Sequence, residues 1–216
     1  MKIKIKKSIK PVNYDIAINY LEKRVLKLIN NKSNNELIWF LEHPPIFTSG
    51  SSHKKNEILD KSIKIIKSSR GGKITWHGPG QLICYFVIDL NKRKKDIRNL
   101  INIIEKSIIN SLNEYNINSE NDRKNVGIWY RENNKLNKIA AIGIRVKRWI
   151  AYHGFSINIK NDLNSYKKII PCGVLNRSVT NLVNIKKQNY DNISDKLAKY
   201  LIKYLKSWVF FVLKHL

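Results

Sequence analysis

Cysteine is scarce in this chain: Cys84 and Cys172 are the only two in 216 residues, so no disulfide framework supports the fold. At this length one domain, residues 1–216, can bury a substantial core without such help. No Cys-x-x-Cys and no close histidine pair occurs, and the scattered His, Cys and acidic residues argue against a zinc site. Neither Gly-x-x-x-x-Gly-Lys-Ser/Thr nor a Gly-x-Gly-x-x-Gly after a strand is present, so the common nucleotide cradles are missing. No apolar run reaches the length of a membrane span, and Met1 leads into a Lys-rich segment rather than a signal peptide. A soluble, cytoplasmic protein without stable membrane association is expected. Acidic residues are also few, 16 against 41 Lys and Arg, for a formal charge of +25. Only 9 of those 41 are Arg, and the lysines are spread along the chain rather than gathered with aromatics, which argues against a nucleic-acid binder. Such a surface instead attracts acidic protein partners.

Glycine is confined to the middle: all nine lie between Gly50 and Gly173. Outside that region periodicity dominates. Lys2 to Lys10 reads as an exposed or edge strand. Asn13 is placed to cap a helix with Tyr14, Ala17, Ile18, Leu21, Val25, Leu28 and Ile29 on one face, and Asp96 a second with Ile97, Leu100, Ile101, Ile104, Ile108, Leu112 and Tyr115. Ser194 is placed to cap a third through Leu197, Leu201, Leu205, Trp208 and Val212, a helix that covers the sheet or lies on a membrane surface. Leu37 to Leu41 and Leu82 to Leu90 read as buried strands. Strands at Val126–Tyr130 and Lys138–Val146 join through a turn at Asn133-Asn134-Lys135, and Ile150 to Ile159 is a further strand interrupted by Gly154. The fold class expected is α/β: a single domain with a mixed β-sheet and covering helices.

Arg70-Gly71-Gly72-Lys73-Ile74-Thr75-Trp76-His77-Gly78-Pro79-Gly80-Gln81 is the densest stretch of special backbone, and it runs straight into a buried strand. Glycines there allow close approach of backbone, and a constrained loop on a rigid scaffold is a natural site. Cys172, between Pro171 and Gly173, is set to present its thiol, whereas Cys84 alternates with Leu82, Phe86 and Ile88 on one strand face and reads as core. A nucleophilic thiolate needs a cation or base beside it. His77, His153 and Lys138 are the candidates, Lys138 because small and apolar neighbours follow it in Ile139-Ala140-Ala141-Ile142-Gly143. His43 is expected to shape the turn at Pro44-Pro45, and His53 and His215 to be exposed.

Five segments stand in a telling order: Glu42 to Thr48, Arg70 to Gln81, Lys138 to Gly143, Tyr152-His153-Gly154-Phe155-Ser156-Ile157-Asn158, and Pro171-Cys172-Gly173. Together they resemble the lipoyl(octanoyl) transferase family, also called lipoate-protein ligase B, from about Tyr14 to Leu182. The resemblance implies a fold related to biotin-protein ligases and the catalytic domains of class II aminoacyl-tRNA synthetases. It implies transfer of an octanoyl group from octanoyl-acyl-carrier protein to a lysine of a lipoyl domain, in 2-oxoacid dehydrogenase complexes or the glycine cleavage H protein, with no ATP or metal. Cys172 falls on the family's acyl-thioester cysteine and Lys138 on its lysine partner. Arg70, Gly71, Gly72, Lys73, Ile74, Thr75, Trp76 and His77 fall on its substrate-binding segments, as do Ala141, Ile142, Gly143, Gly154, Phe155 and Ser156. Phe155-Ser156 stands where smaller or aliphatic residues are common, which bears on the acyl tunnel. An ATP-using lipoate or biotin ligase of the same fold is the alternative.

Overall fold

The computed structural model describes residues 2–33, 35–170 and 178–213, with side chains as far as 209. The strands are β1 (Lys2–Lys7), β2 (Asn35–Leu41), β3 (Ile46–Ser49), β4 (Ile65–Lys67), β5 (Ile74–His77), β6 (Gln81–Asp89), β7 (Glu120–Asn121), β8 (Ile128–Glu132), β9 (Lys135–Lys147), β10 (Ile150–Asn158) and β11 (Ser178–Val179). The helices are α1 (Tyr14–Ile29), α2 (Ile97–Asn113), α3 (Leu182–Ile185) and α4 (Ile193–Leu213).

The main sheet runs β1-β2-β6-β10-β9-β8-β7, with β11 added beside β9. β1 pairs with β2 and β11 with β9 in parallel, and the remaining pairs are antiparallel, so the sheet is mixed as expected. A second sheet, β4-β3-β5, lies outside it and carries the glycine loop.

Strand β6 shows why the chain folds around this sheet. Cys84, Phe86 and Ile88 point into a core shared with Leu100, Ile104 and Ile108 of α2 and Leu197, Leu201 and Leu205 of α4. Ile83, Tyr85 and Val87 point the other way, against Ala17, Leu21 and Val25 of α1. Both faces are therefore dry, which accounts for an unbroken apolar run rather than an alternating one. Each fully buried Leu, Ile or Phe contributes about 1.5–3 kcal/mol. Trp208 of α4 is buried in the same core, so α4 is a covering helix. Among the described residues no helix is long and apolar enough to cross a membrane.

Several local expectations change. Asp96 caps α2 as expected, accepting from the Asn99 amide at 3.0 Å. Asn13 makes no side-chain capping bond; only its carbonyl enters α1, accepting from Ala17 N. Ser194 sits inside the first turn of α4, which already starts at Ile193. Gly154 does not interrupt β10, which runs through it with continuous pairing to both neighbours. The β8–β9 hairpin turns on Asn133 and Asn134 with φ of 46° and 61°, as its asparagines suggest. The β9–β10 hairpin turns in the same left-handed way on Arg148 and Trp149, at φ of 48° and 62°, although neither residue signals a turn.

Candidate active site

Arg70 organises the glycine loop. Its Nη1 donates to the main-chain oxygens of Gly71 and Lys73 at 3.1 and 2.9 Å, and its Nη2 to the carbonyl and hydroxyl of Thr48, both at 2.9 Å. The Gly71 amide donates to Ile144 O at 3.0 Å and fastens the loop to β9. Lys73 pairs with the carboxylate of buried Glu57 at 2.7 Å.

Between this loop and the β9–β10 hairpin lies a cavity of about 360 Å³. Of the sequence-derived site residues, Arg70, Gly72, Lys73, Ile74, Thr75 and His77 line one side, and Lys138, Ala141, Ile142, Gly143, Gly154, Phe155 and Ser156 the other. Two residues stand apart from it. Gly71 serves through its backbone bond to β9, and Trp76 packs away from the cavity with Tyr166 and Ile169. The sequence reading missed Tyr14, Ile83, Tyr85, Asn125 and Val126, which also line the cavity. For Ile83 and Tyr85 a signal existed, since strand alternation puts them on the face opposite Cys84. For the others there was none.

The polar part of the wall is held by neutral histidines. His43, just before Pro44-Pro45, is fully buried; its Nδ1 donates to Val12 O at 2.6 Å and its Nε2 accepts from Tyr85 OH at 2.8 Å. His77 Nδ1 donates to Gln81 Oε1 at 2.6 Å, while Gln81 Nε2 is held by Asn158 and Tyr166. His153, in the left-handed region at φ 68°, contacts the Ser69 hydroxyl at 3.0 Å. Burial, reinforced by His43 and Arg70, pushes His77 down to about 3. Burial with Arg70 and Arg145 does the same to His153, also to about 3. His53 is partly buried, its ring bonded to Gly50 O at 3.0 Å, and His215 lies outside the described residues.

These shifts predict acid sensitivity. Above pH 6.5 the histidines are neutral in both folded and unfolded chains, so they leave stability at its full value. As pH falls from about 6.5 toward 3 the unfolded chain takes up protons that folded His77 and His153 refuse, and each group removes about 1.4 kcal/mol of stability per pH unit. Urea midpoints should hold from pH 7.5 to about 6.5 and then fall steadily to pH 5, before most carboxylates titrate; a profile flat to pH 5 would contradict the buried neutral state.

Lys138 is buried in the cavity wall. Its Nζ donates to Val126 O at 3.2 Å and lies 4.5 Å from the centre of the Trp129 ring. Cys84 is 0 % exposed and burial drives its thiol well above the usual range, as suits a core residue. Cys172 lies outside the described residues. The described chain on both sides of it is anchored: Ile170 N donates to Glu57 O at 2.8 Å, and β11 runs beside Asn137 and Lys138, with Thr180 N donating to Lys138 O at 3.0 Å. Among the described residues no group of three or more His, Cys, Asp and Glu is placed to hold a metal ion.

The family model for the lipoyl protein ligase A/B catalytic domain matches residues 18–205. An octanoyltransferase of Wolbachia sp. subsp. Brugia malayi is 43% identical over 172 residues, 79% of this chain and 83% of that protein. One from Anaplasma phagocytophilum is 40% identical over 195 residues, 89% of this chain and 93% of its own length. In fold the chain is similar to a bipartite lipoate protein ligase from Thermoplasma acidophilum, with a TM-score of 0.73 at 15% identity over 95% of this chain and 84% of that one. A biotin protein ligase from Aquifex aeolicus in complex with biotin and ATP superimposes with a TM-score of 0.55 at 15% identity, covering 95% of this chain and 70% of the other. With matches of this extent, the chain belongs to the lipoyl protein ligase A/B catalytic-domain family and, within it, to the octanoyltransferases, which are acyltransferases.

Proposed function

We propose that this enzyme takes an octanoyl group from the thioester of an acyl-carrier protein, holds it on Cys172, and delivers it to a lysine of a lipoyl domain. The observation that carries this reading is a buried lysine in the wall of an acyl-sized cavity, on the strand that also holds β11, the described chain that follows Cys172. A cavity of about 360 Å³ is at the small end for a ligand site and suits a single short chain. Ile83, Ile142 and Phe155 supply apolar wall, and each buried methylene is worth about 0.8 kcal/mol.

Lys138 is the preferred partner for the thiolate. His77 and His153 are held neutral, Arg70 is bound into its own loop, and Lys73 is paired with Glu57. In the first half-reaction the Cys172 thiolate attacks the octanoyl carbonyl, the carrier's sulfur leaves, and the Lys138 ammonium gives it a proton. In the second, the acceptor amine attacks the new thioester, the Cys172 sulfur leaves, and neutral Lys138 takes the proton from the amine. Exchange of one thioester for another is nearly balanced and conversion to an amide runs downhill, so the acyl group arrives already activated and neither ATP nor a metal is needed. The charge of +25 favours encounter with acidic carrier and lipoyl domains.

Intact mass after incubation with octanoyl-acyl-carrier protein tests the reading. Wild type and Cys84→Ala should gain one octanoyl group that hydroxylamine removes, and Cys172→Ser should gain none. An adduct on Cys172→Ser, or loading only from free octanoate with ATP, would overturn it.

A further inference from the structure

Lys138 is held in place by a short neighbouring stretch that the proposed mechanism leaves without a part. Strands β8 and β9 fall out of step between Ile128 and Trp129: Ile128 faces Ala140, but Trp129 faces Lys138. This irregularity leaves Ile139 without a partner and brings Trp129 and Lys138 to directly opposed positions, as β-bulges near sites commonly do when they re-aim a side chain. The indole is 1% exposed, and its face lies 4.5 Å from Lys138 Nζ, within reach for a cation–π contact. The other edge of the same ring matters as well. Trp129 Nε1 donates to Asn125 O at 3.0 Å, and so steadies the residue preceding Val126, whose carbonyl accepts from Lys138 Nζ at 3.2 Å. Gly127 completes the cradle: a Cβ there would lie 3.2 Å from both Cε and Nζ of Lys138, at a φ of +138° that side chains avoid.

We infer that Trp129 is a positioning residue for Lys138, fixing the amine on the cavity wall directly through its ring face and indirectly through the Asn125–Val126 main chain. The inference rests on the proposed function, because it assigns Trp129 no chemistry except through Lys138. A swinging amine loses the alignment that proton transfer needs, and small misplacements of reacting groups are costly in rate.

The test is a double-mutant cycle read in single-turnover loading from octanoyl-acyl-carrier protein. Amplitude reports how much enzyme is folded, and the rate constant reports geometry. Trp129→Leu should lower the rate constant by about tenfold or more. Trp129→Phe, which keeps a ring face but not the Nε1 donor and is the safer variant for folding, should lower it by less but measurably. Made in a Lys138→Met background, neither change should slow loading further, because the residue through which Trp129 acts is gone. Equal fold-losses in both backgrounds, or no loss of rate constant with Lys138 present, would overturn the inference and leave the proposed function standing. Wild-type loading by Lys138→Met alone would overturn the role of Lys138, and this inference with it.

Discussion

Lys138→Met should slow both octanoyl loading of Cys172 and its transfer to a lipoyl domain by at least about a hundredfold, the usual scale for losing a general acid–base group. Methionine is close to lysine in length and fills the same space beside Trp129, so cavity shape is kept while the proton carrier is removed. Stability should change little, since burying an ammonium is itself unfavourable and an apolar replacement recovers that desolvation. Stopped reactions analysed by intact mass, with urea unfolding of the same preparation, separate the two effects. Near-normal rates in a fully folded variant would remove Lys138 from the mechanism.

Gly154→Ala should be the most damaging glycine-to-alanine change among the described residues. Gly154 lies on β10 opposite Tyr85 of β6, next to the pair formed by Phe155 and Cys84. A Cβ added there would come within 1.9 Å of Cys84 O and 3.0 Å of its carbon. Those atoms are main chain in the middle of the main sheet, so no side chain can swing aside; β10 must move from β6 or the ladder must break. The expected loss exceeds about 3 kcal/mol, large for one methyl group, with lower soluble yield and an early urea transition. Unchanged unfolding would mean the two strands separate easily, contrary to the packing on both faces of β6. The same glycine lines the cavity, so surviving protein should also load octanoyl poorly.

Much of this was legible beforehand, for identifiable reasons. Helices α1 and α2 and strand β6 follow from spacing, because Ala17, Leu21 and Val25 or Leu100, Ile104 and Ile108 mark a buried face without reference to anything distant. The asparagines of the β8–β9 turn are equally local. Less local features went unread. Gly154 looks like a strand breaker in one dimension, and its close approach to Cys84 exists only once β10 lies beside β6. His43 looks like part of a proline turn until its partners Val12 and Tyr85 are known. The Arg148–Trp149 turn is imposed by the pairing of the strands it joins.

The amino-acid order alone determined the family, the mixed sheet with its covering helices, and the segments that meet at the cavity, because each is written in residue spacing or contiguous motifs. Tertiary structure alone decided how those segments are used: Arg70 folds its own loop, Trp76 turns away, and Tyr14, Asn125 and Val126 arrive from elsewhere. The β8–β9 slip that sets Trp129 against Lys138 belongs to that second group. Strand register is a relation between distant stretches of chain, and it takes its final form only when both faces of the sheet are packed.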